Sequence, residues 1–394
     1  MRLSNSRKVW PGLLVVAVTV ACGAPSAQEP RSALAQRSTE THAAYVLDAN
    51  GESLTSRIVR VDPETQRVEG SYPAGYDPVM TVSPDGTRLY VASARNRGGK
   101  LRDELAVIDT VGGKVLSTTP VEDRWEGAGV SPHPSLSLSS DGLWLYVLQV
   151  RLTGGAGAEY SVATFDTTRR EFLPESVALG SCGAGFLVPS AHDGGRRLQI
   201  VCPETHDVRV LTVASNGSAD SAETIDLPRV DDGRTDANRN PLELWRLSSA
   251  VGSPSGDELY AITQNGRVFT VDLLTEEVTA STDLELGPDT FVPIGQGAAG
   301  GDRLFLGAAS LDSTAGIDRL RASHVLVVDA AEGVAHAAAT EGAFEALGAS
   351  PLGDAIFVVD SEGQTVTVID ADDPSERAVV RNVGNTPSRI EVVR

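Results

Sequence analysis

Residues 82–92 decide the fold, and they read V-S-P-D-G-T-R-L-Y-V-A. Pro84 has φ fixed near the value that the second position of a tight turn needs, and Gly86 can take the positive φ that closes the turn. Residues 89–91 then have the aromatic and β-branched character of a buried strand. Weaker copies follow at residues 140–147, 253–261 and 350–359. A turn–strand unit that recurs along the chain predicts a repeat architecture.

A second signature follows each of these turns after roughly 15–25 residues, and successive units are roughly 40–60 residues apart, as propeller repeats are. It is an apolar strand that ends in aspartate before another turn. The six aspartates are Asp62, Asp109, Asp166, Asp272, Asp329 and Asp370. Residues 208–213 occupy the same place in a seventh unit, without the aspartate. Because the aspartate recurs once per unit in the other six, we expect it to bind turn amides and not to act in catalysis.

The two ends of the chain indicate how the repeats close. Residues 43–48 form a strand without a preceding inner strand, and residues 386–393 form an inner strand without a continuation. Pairing these two segments completes one unit and removes open sheet edges. The sequence therefore predicts an all-β fold over residues 43–394: a seven-bladed β-propeller of four-stranded antiparallel blades, closed by pairing the C-terminal strand with the N-terminal strands. Eight blades is the alternative.

The strand pattern also assigns the inner strand of each blade. The predicted inner strands are residues 78–82, 134–138, 186–190, 245–249, 292–296, 344–349 and 387–392. Two segments, 152–159 and 215–242, are expected to project from the disc as insertions.

Loops that lead into these strands carry five aromatic and three acidic residues. They are Tyr76, Trp125, Trp245, Phe291 and Phe344, with Asp77, Glu126 and Glu243. We expect them to converge on one mouth of the central channel. Such a mouth suits a cationic or amine ligand, bound through cation–π contacts, or a protein partner. Packing between blades explains the aromatic residues equally well, so both interpretations stay open.

The N-terminus reads as a targeting segment. Arg2, Arg7 and Lys8 precede an apolar stretch that is too short for a spanning helix and ends at Cys22. The residues before Cys22 resemble a bacterial lipobox. Residues 1–21 are therefore predicted to be a lipoprotein-type signal peptide, Cys22 the lipidation site, and residues 22–42 a flexible tether. The protein would be exported and anchored in the cell envelope by lipid alone; ordinary secretion is the alternative.

Charge and cysteine content limit which partners and which cellular compartment are expected. The formal net charge is −20, and removing the three basic residues of the leader makes it more negative still. An acidic surface repels phosphate backbones, so nucleic acid is not an expected partner. Beyond Cys22, the chain has Cys182 and Cys202. Two cysteines in an exported chain most simply form one disulfide, and a free reactive pair is the alternative.

Motifs for catalysis and cofactor binding are missing from the sequence. It has no G-x-S-x-G, phosphate loop, H-E-x-x-H or dinucleotide fingerprint, and its six histidines show no metal-ligand spacing. Residues 231–240 alternate acidic and amide side chains as a calcium loop does, but Pro241 stands where glycine is expected, so an acidic surface loop is favoured. We expect no catalytic residue, metal or cofactor on this chain.

Several motifs resemble known families. Residues 81–92 resemble the YVTN-type propeller repeats of bacterial surface proteins. The order of segments 105–109, 131–134, 138–146, 182–183, 200–202 and 322–329 is similar to the heavy (propeller) chain of methylamine dehydrogenase and related quinoprotein amine dehydrogenases. This resemblance implies a seven-bladed propeller, a disulfide between Cys182 and Cys202, and a partner light chain that carries the quinone cofactor.

Two functions follow as hypotheses. The first is an exported binding or scaffold propeller without catalytic residues of its own. The second is the non-catalytic propeller subunit of a periplasmic amine dehydrogenase, with the quinone on a separate small subunit.

Overall fold

The computed structural model describes most of the chain between residues 43 and 393. The described ranges are 43–49, 55–121, 124–125, 135–153, 157–190, 196–214, 223–231, 233–234, 242–287, 289–295, 297–310, 322–329, 335–338 and 343–393. The predicted signal peptide, Cys22 and the tether lie outside them. The regular secondary structure in these ranges consists of β-strands alone, as the predicted all-β fold requires. They contain no helix that is long and apolar enough to cross a membrane.

The described residues form 29 strands, numbered in chain order. They are β1 (Ala43–Asp48), β2 (Ser56–Asp62), β3 (Arg67–Val82), β4 (Arg88–Arg97), β5 (Lys100–Asp109), β6 (Lys114–Pro120), β7 (Arg124–Trp125), β8 (Leu136–Leu138), β9 (Trp144–Thr153), β10 (Gly157–Asp166), β11 (Glu171–Gly180), β12 (Phe186–Pro189), β13 (Arg197–Cys202), β14 (Asp207–Thr212), β15 (Glu223–Asp226), β16 (Leu247–Gly252), β17 (Glu258–Thr263), β18 (Arg267–Asp272), β19 (Glu277–Asp283), β20 (Thr290–Phe291), β21 (Gly297–Gly300), β22 (Arg303–Ser310), β23 (His324–Asp329), β24 (Ala335–Ala338), β25 (Ala346–Ala349), β26 (Ala355–Asp360), β27 (Thr365–Asp370), β28 (Arg377–Arg381) and β29 (Pro387–Val393).

These strands form antiparallel sheets of sequential neighbours. Four-stranded sheets run β12-β13-β14-β15, β16-β17-β18-β19 and β25-β26-β27-β28. Two more contain β9-β10-β11 and β22-β23-β24, each with a first strand in two short pieces (β7 and β8, β20 and β21). The remaining sheet runs β29-β1-β2-β3-β4-β5-β6. The middle strands of the sheets are buried on both faces, which explains why they read as nearly continuous apolar runs, whereas outer strands such as β6 and β19 are largely exposed.

Strand β3 belongs to two four-stranded units. Its first half pairs with β2, and its second half pairs with β4. The register shifts between Tyr76 and Val79, next to the positive φ of Gly75 (88°) and Asp77 (46°). A side chain at Gly75 would place its Cβ 2.6 Å from Ser93 Oγ, so this bend needs glycine.

The C-terminal strand β29 lies antiparallel beside β1, with Val46 opposite Ile390. Asp48 fixes the entry to β29, because its Oδ1 accepts hydrogen bonds from the amides of Asn385 and Thr386, both at 2.8 Å. The first strands of the sheets also contact one another in series. The contacting pairs are β3–β8, β8–β12, β12–β16, β16–β21, β21–β25, β25–β29 and β29–β3.

The quoted turn is a repeated hydrogen-bonded unit. Ser83 Oγ donates to Asp85 Oδ1 at 2.5 Å and accepts from the amide of Arg88 at 2.9 Å. Ser139 makes the same two kinds of bond with Asp141 and with the amide of Trp144. The serines at 253 and 350 likewise accept from the amide five residues on.

The strand-end aspartates bind turn amides, as predicted. Asp62 Oδ1, for example, accepts from the amides of Glu64 (2.8 Å) and Thr65 (3.2 Å). The same pair of bonds is made by Asp109, Asp166, Asp272 and Asp370.

Two predicted inner strands are misplaced. The strand expected at 245–249 is Leu247–Gly252, and the one expected at 292–296 is Gly297–Gly300. The second has poor β-propensity, but the position demands small residues. A Cβ at Gly297 would lie 2.5 Å from Ser249 Oγ, and one at Gly300 would lie 2.2 Å from the carbonyl oxygen of Ser350.

The predicted insertions also need correction. Glu223–Asp226 is the fourth strand of its sheet, so residues 215–242 are not one projecting insertion. Between Trp144 and Asp166 the sheet itself is longer, because β9 and β10 pair over ten residues each.

Candidate functional site at the loop face

The two ends of each sheet differ. At one end, which we call the turn face, lie the serine and aspartate turns. At the other end, the loop face, the second strand turns into the third and the chain enters the first strand. Tyr76 lies opposite Ala94 near this end, and the β4–β5 hairpin closes there between Arg97 and Lys100. The described residues of the predicted mouth lie towards this face.

Trp245 is the centre of a cluster at the loop face. Its ring is half-buried, and the guanidinium carbons of Arg229 and Arg246 lie 4.9 and 5.9 Å from the ring centroid. Arg246 also forms an ion pair with the exposed Glu243. The structure therefore brings two predicted residues, Glu243 and Trp245, together with two arginines that the sequence analysis did not single out.

His206 is a buried residue that contacts this cluster through the backbone of Trp245. It is buried, with 2% of its surface exposed, and its ring nitrogens lie 2.9 Å from the carbonyl oxygens of Leu227 and Trp245. A neutral imidazole has one N–H and can donate to one of these carbonyls, whereas an imidazolium can donate to both. His206 thus joins the turn after β13 to the loop before β16. Because its partners are backbone carbonyls, no residue pattern in the sequence marked its role.

The disulfide anchors the same turn. Cys182 and Cys202 are bonded, with an S–S distance of 2.02 Å, and both are fully buried. This confirms the predicted pairing. The amide of His206 donates to the carbonyl oxygen of Cys202 at 2.8 Å, so the covalent bond fixes the strand end from which His206 extends.

The other aromatic residues of the predicted mouth occupy different surroundings. Phe291 is fully buried against Leu244, beneath the loop that carries Trp245. Phe344 is 1% exposed in another core cluster. Tyr76 is half-buried against a third cluster, beside Asp77. The burial of both phenylalanines agrees with the packing interpretation for those two rings.

Two predicted mouth residues are outside what the structure describes. The backbone of Trp125 pairs with Gln149 in β9, but its side chain is not described. Glu126 lies outside the described ranges. Of the possible calcium loop, only Asp231, Gly233 and Arg234 are described, and Asp231 Oδ1 accepts from the amide of Gly233 at 2.9 Å. The described residues contain no group of three or more side chains placed to bind a metal ion.

A basic hairpin is a second feature of the loop face. Residues 95–102 read R-N-R-G-G-K-L-R, and from Asn96 to Arg102 they are exposed. Arg97 forms a bidentate pair with Glu104, at 2.9 and 3.0 Å. Burial lowers the pKa of Arg95, and the charge of Glu104 opposes this shift. The tip therefore presents cations on a strongly acidic protein.

Comparisons with known proteins define the class. No family model matches the chain, and no curated protein matches it significantly. A functionally unknown protein from Desulfotomaculum acetoxidans superposes with a TM-score of 0.61 at 10% identity, over 89% of this chain and 99% of that one. The periplasmic gluconolactonase of Pseudomonas aeruginosa gives 0.60 at 16% identity, over 90% and 99%. A putative 6-phosphogluconolactonase from Bacteroides fragilis gives 0.57 at 13%, over 90% and 99%.

The similar structures include β-propeller proteins, and the antiparallel sheets described above fit the same architecture. The chain therefore has a β-propeller fold. At such identities the likeness extends to the fold alone.

Proposed function

We propose that this chain is an exported, seven-bladed β-propeller that binds an acidic protein partner through the loop face around Trp245. The observation that carries the proposal is the stack of Arg229, Trp245 and Arg246, fixed from below by His206. Tryptophan and arginine are the residues that most often dominate binding energy at protein interfaces.

The charges at this face favour an acidic partner over a small cation. Two guanidinium groups already lie near the Trp245 ring, so a cationic ligand would have to compete with the protein's own cations. The basic hairpin at 95–102 adds positive charge at the same end of its sheet. Complementary charge would speed association and select the partner.

The seven-blade count and the closure of the ring are part of the proposal. Two observations support them: the pairing of β29 with β1, and the series of first-strand contacts that leads from β3 through β29 back to β3. Export is supported by the buried disulfide, since such bonds persist in oxidising compartments. Lipid attachment at Cys22 is proposed from the sequence.

Site-specific photo-crosslinking in the native envelope tests the binding face. A photoreactive residue would replace Glu243 on the loop face, and in a matched control it would replace Leu274, which is 61% exposed on the turn face. We expect a discrete protein adduct from position 243 that is absent from position 274 and lost on adding Trp245→Ala. Equal adducts at both positions, or no adduct at 243, would contradict the proposal.

The amine dehydrogenase hypothesis is a second candidate, favoured by the disulfide that the resemblance implies. The same experiment separates it from the scaffold role. A small adduct with a quinone absorption band would identify this chain as the propeller subunit of such a complex. An adduct without visible absorption would favour a scaffold.

A further inference from the structure

Arginines that begin second strands lie at the interfaces between neighbouring sheets. Arg197 begins β13, and its Nη1 lies 2.8 Å from Oε1 of Glu276, in the turn before β19. Arg303 begins β22, and its Nη2 lies 2.5 Å from Oδ1 of Asp372, in the turn before β28. In both cases a carboxylate from the next sheet neutralises the guanidinium.

Arg88 begins β4 in the same way, but none of the described carboxylates of the next sheet forms an ion pair with it. The position that corresponds to Glu276 is occupied by Arg170. Each residue stands four positions after the turn aspartate (Asp272 or Asp166), donates its amide to that aspartate's carbonyl, and has a positive φ, 58° for Glu276 and 61° for Arg170. A cation therefore replaces the expected anion.

The two arginines line one cleft of 420 Å³ at the turn face, between the β3–β4 turn and the β8–β9 turn. Among the described residues, the Arg88 guanidinium has no hydrogen bond or ion pair. Arg170 Nη1 donates to the carbonyl oxygen of Leu116 at 3.3 Å. This contact uses only Nη1 of Arg170. The other guanidinium N–H groups of Arg170, together with those of Arg88, are donors suited to an anion.

Two carboxylates also line the cleft, but they are held by their own turns. Asp85 Oδ1 accepts from Ser83 Oγ and from the amide of Thr87. The hydrogen bond from Ser83 is the main cause that lowers the pKa of Asp85. Asp141 Oδ1 is bound in the equivalent way by its turn. The two carboxylates can accept from ligand hydroxyl groups, and the hydroxyl of Ser140 can accept or donate.

We infer that this cleft binds a small hydroxylated carboxylate, of the sugar-acid class. Arg88 and Arg170 would bind the carboxylate, because planar guanidinium groups match carboxylate geometry. Asp85, Asp141 and Ser140 would bind the hydroxyl groups. Because two guanidinium groups and two carboxylates nearly cancel in charge, a ligand that supplies both an anion and hydroxyl donors fits better than a simple anion. This site lies on the face opposite Trp245 and does not depend on the function proposed there.

Calorimetric titration of the full mature chain tests the inference, with glucuronate as the probe and glucose as the uncharged control. Arg170→Glu should recreate the pairing seen between Arg197 and Glu276, keep the fold, and weaken glucuronate binding by about tenfold or more. Arg169→Glu makes the same charge change at the neighbouring residue, which is exposed and does not line the cleft, and should leave binding unchanged.

Arg88→Gln provides a second variant in case Arg170→Glu does not fold, and it should also weaken binding. We expect millimolar binding to the unmodified chain and none of glucose. No glucuronate binding up to about 20 mM, equal binding of glucose, or unchanged affinity in the folded Arg170→Glu and Arg88→Gln variants would overturn the inference.

Discussion

The turn face and the loop face are held together in different ways. On the turn face, most bonds are those that the serine and aspartate turns repeat between residues two to five positions apart, and a few long-range contacts, such as the ion pair of Arg197 with Glu276, join neighbouring sheets. On the loop face, contacts join distant parts of the chain: His206 binds the carbonyl of Trp245, 39 residues on, and Asp48 binds the amide of Thr386, 338 residues on. Local bonds make each unit alike, whereas long-range bonds make particular units different and hold the ends together.

The largest expected effect tests the longest-range contact. Truncation after Gly384 removes β29, which would expose one edge of β1 and apolar surface of the neighbouring sheets. We expect aggregation or a severe loss of thermal stability, because the loss should spread from sheet to sheet. Thermal unfolding and light scattering measure both.

Deletion of residues 23–39, a longer segment, is the control and should change stability little. A C-terminal truncation that melts like the full chain would rule out closure by a shared strand.

A matched pair of aspartates compares long-range with local bonds directly. Asp48 is 2% exposed and accepts two amides from the distant segment before β29. Asp48→Ala should lower the free energy of unfolding by about 2–3 kcal/mol, since it leaves these donors unsatisfied.

Asp62 accepts two amides from its own exposed turn, where water can replace it. Asp62→Ala should therefore cost only about 0.5 kcal/mol. Chemical denaturation of both variants gives the comparison, and equal losses would show that sequence separation does not matter here.

Glu391 makes one contact between β29 and β3 depend on pH. Its Oε2 accepts from Thr81 Oγ1 at 3.1 Å and from the amide of Val82 at 2.9 Å, and burial raises its pKa to about 7. Because the folded protein holds this proton more tightly than the unfolded chain, Glu391 stabilises the fold at low pH. That contribution is lost as pH rises from about 4.5 to about 7.

Glu391→Gln cannot ionise, so at pH 8 it should be more stable than the unmodified chain by about 2 kcal/mol, allowing for partial exposure of the side chain. At pH 4 the two should be similar. Stability curves against pH measure the difference, and Glu362→Gln, at an exposed position, is the control. Identical curves for Glu391→Gln and the unmodified chain would contradict the prediction.

A smaller effect than that of Asp48→Ala is expected from a single repeated turn. Ser139 is fully buried, and its hydroxyl joins Asp141 to the amide of Trp144. Ser139→Ala should cost about 1 kcal/mol in the free energy of unfolding. A loss as large as that of Asp48→Ala would mean that the turn face is not stabilised by independent local units.

Much of the fold could be predicted from the sequence, because its turns are encoded locally. The V-S-P-D-G stretch and the strand-end aspartates lead to hydrogen bonds within five residues, so their spacing was informative. The strand Gly297–Gly300 was misplaced because its residues were selected by the close approach of Ser249 and Ser350, which belong to other sheets. Only the folded chain shows that constraint.

The candidate sites were less predictable for the same reason. Trp245 and Glu243 were predicted from an aromatic–acidic pattern. The arginines near the ring are the adjacent Arg246 and Arg229, which lies sixteen positions earlier in the same connection between β15 and β16. The role of Arg170 is visible only in the structure, where its turn has the same positive φ and the same amide hydrogen bond as the turn of Glu276. A single cation in a sequence does not reveal that its neighbour in space is another cation.

The pairing of β1 with β29 also constrains how the chain can fold as it is made. Among the described strands, Ala43–Asp48 is synthesised first, and it pairs on one side with Pro387–Val393, which is synthesised after all the others. Until then one edge of β1 has no partner strand, and the free energy of that pairing is not available. Contacts between residues so far apart in the sequence favour slow folding, and the unpaired strand edge stays exposed to aggregation for longer. A chain with this topology must therefore be kept from aggregating until the residues of β29 are available to pair with β1.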